Sequence, residues 1–286
     1  MPGEITNVAG EAVVYLDNFR RCSYNDARAD DGDVMHFRIL GPLTVSKTNR
    51  EIIEIAGWRQ QTVLAMLLLR ANQPILVEGL TEALWGDAAP VTARNQVQIC
   101  VSRLRRQLAG ADGPTIATRA SGYAISLSRA TTLDLLHFEQ FAERGRECAA
   151  QGRSQEAVHH LRSAMSLWRG PVADGIDAEA IRVAATRLHE LRDMVLEDCL
   201  DLELAMGRHR QLVAELSALV AEHPLRESMR AKHMLALYRA GRTCDALRSY
   251  RVGRDIIRDE LGLEPSDELR SLERAILNQD PRLAVG

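Results

Sequence analysis

Residues 92–108 read TARNQVQICVSRLRRQL. Val97, Val101, Leu104 and Leu108 recur at steps of four, three and four, which is one face of an α-helix. That stripe is suited to pack on other helices, and Thr92 stands where an N-cap belongs. The opposite face then carries Asn95, Gln96, Ile99, Cys100 and Arg103, with Arg94, Arg105 and Arg106 at the flanks or end. A DNA major groove can use every one of these: Asn and Gln pair with adenine, Arg with guanine, and a small apolar group meets the thymine methyl. Flanking arginines neutralise phosphates. The pattern equally fits an ordinary amphipathic surface helix, whose outer face is polar in any case. The neighbouring sequence has to decide between the two.

Working upstream, residues 86–90 (GDAAP) form a turn, and 78–85 (EGLTEALW) a short helix with Leu80 and Leu84 facing inward. Residues 75–77 are short and extended. Residues 58–72 give another helix, with Val63, Leu64, Leu67 and Leu68 on a three-to-four repeat. Two β-rich runs, 36–45 (HFRILGPLTV) and 51–56 (EIIEIA), predict a small amino-terminal sheet. Downstream, residues 110–114 break the chain. Residues 115–127 (TIATRASGYAISL) then read as a β-hairpin turning at Ala120-Ser121-Gly122. A short helix, a turn, a longer basic helix and a hairpin is the order of a winged helix-turn-helix. Arg119, beside the hairpin turn, is placed to enter a minor groove or grip its phosphates. Tyr123 is expected only to pack the hairpin on its domain.

Charge agrees with that order. The 286 residues carry a net charge of −3. Yet residues 91–129 hold six arginines (Arg94, Arg103, Arg105, Arg106, Arg119 and Arg129) against one acid, Asp112. A basic patch on a mildly acidic chain is an electrostatic footprint for nucleic acid. Residues 1–34 carry seven acids against three bases and show no periodicity. They are expected to be a flexible acidic extension, with Met35 a second candidate start.

Other chemistry finds little support. No GxxxxGK[ST] or GxGxxG occurs. His189-Glu190-Leu191-Arg192-Asp193 resembles a zinc-binding HExxH but has Asp in place of the second histidine. Adjacent His159 and His160 point about 100° apart on a helix. The five cysteines are scattered, with no CxxC pair, which argues against a disulfide framework and fits a reducing cytosol. No apolar run approaches the ~20 residues of a membrane span, and no secretory signal is visible. The expectations are therefore no metal, no cofactor, no catalytic site, no membrane, and a cytoplasmic, nucleoid-associated protein.

From Leu133 onward the pattern is helical. Gly152, Gly207 and Gly241 are each followed by Arg, and five residues on come Ala157, Leu212 and Ala246. The 34-residue step from Gly207 to Gly241 is the period of a tetratricopeptide helix pair. The longer step from Gly152 is attributed to the turn-rich residues 169–175. Such repeats build concave faces for partners. The fold class is thus mainly α: a winged helix-turn-helix (small sheets plus three helices), then an all-α tetratricopeptide-like part. The expected boundaries are 1–34, 35–129 and 130–286.

The sequence resembles the Streptomyces antibiotic regulatory proteins. Residues 67–72 (LLLRAN), 84–86 (LWG), 101–105 (VSRLR) and 121–123 (SGY) match their OmpR-type winged helix. Residues 167–170 (LWRG), 223–227 (HPLRE), 236–242 (ALYRAGR) and 259–265 (DELGLEP) match their bacterial transcriptional activation domain. The resemblance covers about residues 36–283. It implies Asn95, Gln96, Ile99, Cys100 and Arg103 at base-facing positions, Arg105 near phosphates and Arg119 in the wing. It implies that Gly86, Asp87, Ala88, Ala89, Pro90 and Val91 form the loop presented to the RNA polymerase holoenzyme. It also implies double-stranded promoter DNA as partner, bound at direct repeats near the −35 region by head-to-tail self-association, and activation of a secondary-metabolite gene cluster. No ATPase or sensor module follows, as expected of a small member. A repressor on the same fold, or a helical-repeat adaptor, stays open on the residues alone.

Overall fold

The computed structural model describes residues 34–48, 51–110, 113–120 and 122–284. The expected acidic extension, apart from its last residue, and Ser121 of the wing lie outside the described residues. The chain divides into two compact units. The first holds the described residues up to Arg144 together with Arg162–Met194; the second holds Gly145–Leu161 and the residues from Val195.

In the first unit, β1 (Met35–Arg38) lies between β2 (Thr44–Lys47), antiparallel, and β6 (Thr131–Leu133), parallel. The expected amino-terminal sheet is thus present with different strands. The single apolar run 36–45 folds back at Gly41-Pro42 into both β1 and β2. The 51–56 run adds only an isolated bridge from Ile52 to Ser46. β6 was not legible, because three residues are too few for a period-two pattern.

The helices of this unit are α1 (Trp58–Leu69), α2 (Val77–Trp85) and α3 (Ala93–Gln107), with β3 (Ile75–Leu76) between the first two. They enclose Leu64, Leu67, Leu68, Leu80, Leu104 and Leu108, all fully buried. Each such side chain contributes about 1.5–3 kcal/mol through burial. β4 (Thr115–Arg119) and β5 (Gly122–Ser126) form the hairpin, and β3 pairs with the outer edge of β5. That pairing requires glycine at 122. A Cβ there would lie 1.9 Å from the Ile75 carbonyl oxygen, and backbone cannot step aside as a flexible side chain can. Gly122→Ala is expected to destabilise the protein by about 2 kcal/mol, as overpacking does, read as a lowered midpoint in urea.

Helix α4 (Asp134–Ala150) opens on a buried carboxylate. Asp134 accepts hydrogen bonds from Ile39 N (2.8 Å) and Leu40 N (3.0 Å), and the Arg169 guanidinium lies 3.4 Å away. Burial pushes its carboxyl up, opposed by those two N–H groups and by Arg169. The LWRG turn binds the same loop: Arg169 N donates to Leu40 O (2.8 Å) and Ala173 N to Ile39 O (2.9 Å). The start of the helical sequence is therefore knitted to the amino-terminal sheet, and the compact unit does not break at residue 129.

The remaining helices are α5 (Ser154–Ser166), α6 (Glu179–Ala205), α7 (His209–Glu222), α8 (Glu227–Arg239), α9 (Thr243–Leu261) and α10 (Asp267–Leu277). In the second unit the glycine repeat has a common geometry. Gly152, Gly207 and Gly241 have φ of 74°, 78° and 79°. The N–H of the following arginine reaches five residues back each time: Arg153 to Cys148 O (2.9 Å), Arg208 to Glu203 O (3.0 Å) and Arg242 to Leu237 O (2.8 Å). This is the Schellman stop, which needs a left-handed residue and so selects glycine. Ala157, Leu212 and Ala246 are buried beyond each stop. The stretched step from Gly152 to Gly207 comes from residues 167–178 and also from the 27-residue α6.

Candidate nucleic-acid interface

Helix α3 packs on α1 and α2 through Ala93, Val97, Cys100, Val101 and Leu104, all buried. At 100° per residue, this inward face is centred near Val97 and Leu104. The outward face therefore centres on Asn95, Ile99, Ser102 and Arg106, with Gln98 and Arg103 to either side, and all six are exposed. Arg94 is exposed as well, while Gln96 is half-buried and its Nε2 donates to Thr92 Oγ1 (3.0 Å). Thr92 occupies the N-cap position, but its side chain caps no backbone N–H.

Cys100 departs from expectation. It is only 6% exposed, and burial raises its thiol pKa, partly offset by Arg103 and Arg59. It belongs to the core rather than to the base-facing set. Counting it with the apolar stripe would have rotated the predicted outer face and admitted Gln98 and Ser102, which sequence reasoning missed. Its position three residues after Val97 was the available signal, since cysteine behaves as a small hydrophobe.

Arg105 is exposed, yet it is not a free phosphate contact. Its Nε donates to Ile116 O (2.8 Å) and its Nη2 to Thr118 Oγ1 (2.9 Å), with the guanidinium 5.8 Å from the centre of the Tyr123 ring. Both bonds end on β4, so this arginine fixes the wing against the carboxyl-terminal half of α3. Tyr123 is buried against the domain. Arg119 ends β4 and is exposed. The structure thus brings an exposed polar helix face and an exposed wing arginine onto one scaffold, joined by Arg105.

Gly86, Asp87, Ala88, Ala89 and Pro90 are all exposed, the first three as a single 3-10 turn, and Val91 is fully exposed. A shallow groove of about 360 Å³ lies beside this loop, between Glu78 and Glu82 of α2 and Arg94 of α3.

The residues weighed for metal chemistry have structural partners. His189 lies 5.5 Å from the Trp168 ring, and Arg192 covers the same ring at 5.4 Å. Phe138 meets that tryptophan edge-on at 5.3 Å. Trp58 and Trp85 flank Arg59, whose guanidinium is 4.7 and 5.9 Å from their ring centres. No helix among the described residues is long and apolar enough to cross a membrane.

Comparison with known proteins agrees with this architecture. Residues 133–277 match the family described as bacterial transcriptional activator domain. Residues 57–125 match that described as transcriptional regulatory protein, C terminal. The regulatory protein DnrI of Streptomyces peucetius is 35% identical, over 86% of this chain and 93% of its own. AfsR of Streptomyces coelicolor is 36% identical over 90% of this chain, which spans only 26% of AfsR. A solved structure of Mycobacterium tuberculosis EmbR, in complex with a low-affinity phosphopeptide, superposes with a TM-score of 0.81 at 35% identity. That match covers 87% of this chain and 66% of EmbR's.

Proposed function

The chain belongs to the Streptomyces antibiotic regulatory protein family of transcriptional regulators, and from that premise we propose that it is a sequence-specific activator of a secondary-metabolite gene cluster, acting in the cytoplasm at the nucleoid. Residues 35–129 read double-stranded promoter DNA, and residues 130–286 form the activation domain. The observation that carries this reading is the outward face of α3, polar and uncovered within its unit while its opposite face is buried. Asn95, Gln98, Ile99, Ser102 and Arg103 reach base edges, with Gln96 at the margin of the face. Arg94 and Arg106 meet phosphates, Arg119 approaches the flanking backbone, and Arg105 acts by holding the wing.

Two copies lie head to tail on a direct repeat near the −35 region. The exposed loop of residues 86–91 faces the RNA polymerase holoenzyme, and its prominence favours activation over repression. The test is transcription in vitro with purified holoenzyme, from a promoter carrying a site the protein has selected from random DNA. Transcript is expected to rise on adding the protein; a fall would establish repression.

A further prediction separates the two kinds of contact. Arg119→Ala is expected to weaken selected and random DNA by similar factors and to reduce the salt slope by about one. Fluorescence anisotropy over a salt series reads both quantities.

A further inference from the structure

A groove of about 730 Å³ crosses α7, α8 and α9 in the second unit, away from every residue assigned above to DNA or polymerase. Its floor is apolar, formed by Val213, Ala214, Leu237 and Val252. Its edge is cationic: Arg210, Arg230, Arg242 and Arg248 line it against one carboxylate, Asp245. Asp245 is shared, lying 2.8 Å from Arg242 Nε and 3.7 Å from Arg248 Nη1. Arg210 has no carboxylate partner among the described residues.

Arg230 adds an independent observation. It is 2% exposed, and its two terminal nitrogens donate to the carbonyl oxygens of Ser249 (3.1 Å) and Pro224 (2.9 Å). Its Nε is buried without an acceptor, and no carboxylate bonds it among the described residues. A buried cation with an unsatisfied donor is costly to leave uncompensated. Beside it, His233 is held neutral, its pKa lowered to about 4 by burial and then by Arg230 and Arg242, with Asp245 opposing.

We propose that this groove binds a short acidic peptide segment of another protein, one whose carboxylates alternate with apolar side chains. The carboxylates meet the arginines, and the apolar groups cover the floor. Three adjacent helices at 8–10 Å spacing span about 20 Å, which is about six residues of extended chain. A free phosphate would leave the apolar floor wet. A single nucleic-acid strand needs aromatic stacking platforms, and no aromatic ring lines the groove apart from the His233 imidazole. The proposal does not rest on the DNA reading.

The test is selection of a phage-displayed library of random 12-residue peptides against the whole protein, followed by anisotropy with the labelled winners. The winners are expected to be rich in Asp and Glu interleaved with Leu, Ile or Phe. Their affinity should weaken with added NaCl and fall at least about tenfold in Arg210→Glu/Arg248→Glu. Both arginines are exposed, so the variant should keep its fold, checked by its circular dichroism melt and its undiminished DNA binding. The His233 imidazole should titrate higher with peptide bound, as a carboxylate arrives beside it. No enrichment over the starting library, winners without acidic bias, or equal binding to the double variant would overturn the proposal.

Discussion

Exchanging Asn95 and Arg103 together for alanine is expected to cost about 4 kcal/mol of site-specific DNA binding, close to a thousandfold, since a good base contact is worth about 1–3 kcal/mol. Binding to random DNA should fall far less. Only Arg103 carries a charge to phosphate, and that non-specific term depends on how many phosphates are neutralised. Both side chains lie on the outer face of α3 and neither supports the core, so the melting temperature should not move. The two losses are separable. Arg103→Ala alone should relax preference at one base pair, whereas equal weakening on selected and random DNA would reduce Arg103 to a phosphate contact. Gel shifts with both duplexes over a salt series make the comparison.

The second large effect is on stability. Asp134→Ala is expected to lower the unfolding free energy by about 3 kcal/mol. Two buried backbone donors, Ile39 N and Leu40 N, lose their acceptor, and each unsatisfied buried group costs about 1–3 kcal/mol. The ion pair with Arg169, whose side chain is 31% exposed, adds little by comparison. Asp134→Asn keeps one acceptor oxygen and should recover part of the loss. Amide exchange at Ile39 and Leu40 locates the effect: both should exchange faster in the alanine variant, together with Ala173 N, which binds the same loop. If only the bulk melting temperature fell and these amides kept their protection, Asp134 would not be the tie between the sheet and α4.

What could be read from the sequence follows how far apart the interacting residues lie. The stripe of α3, the three glycine stops and the hairpin are local patterns with periods of a few residues, and each stands where the sequence puts it. The β1–β6 pairing and the Asp134 tie join residues about 95 positions apart, and nothing local marks them. Asp134 reads in sequence as an ordinary acidic helix start. Cys100 failed for a different reason. Its side chain suits either a groove or a core, and only the neighbouring helices decide. Arg105 was legible as a basic residue of the interface but not as the brace between helix and wing, because its acceptors, Ile116 O and Thr118 Oγ1, belong to a later element.

The most direct measurement replaces Ile99, half-exposed on α3, with a photo-crosslinking phenylalanine derivative and maps the attached nucleotide on a selected duplex. Val183, exposed on α6 of the same unit, serves as the comparison position. Attachment from position 99 to a base at one defined step of each half-site, with none from position 183, is the predicted result. Attachment from 183, or from 99 only to scattered backbone positions, would contradict a helix seated in the major groove.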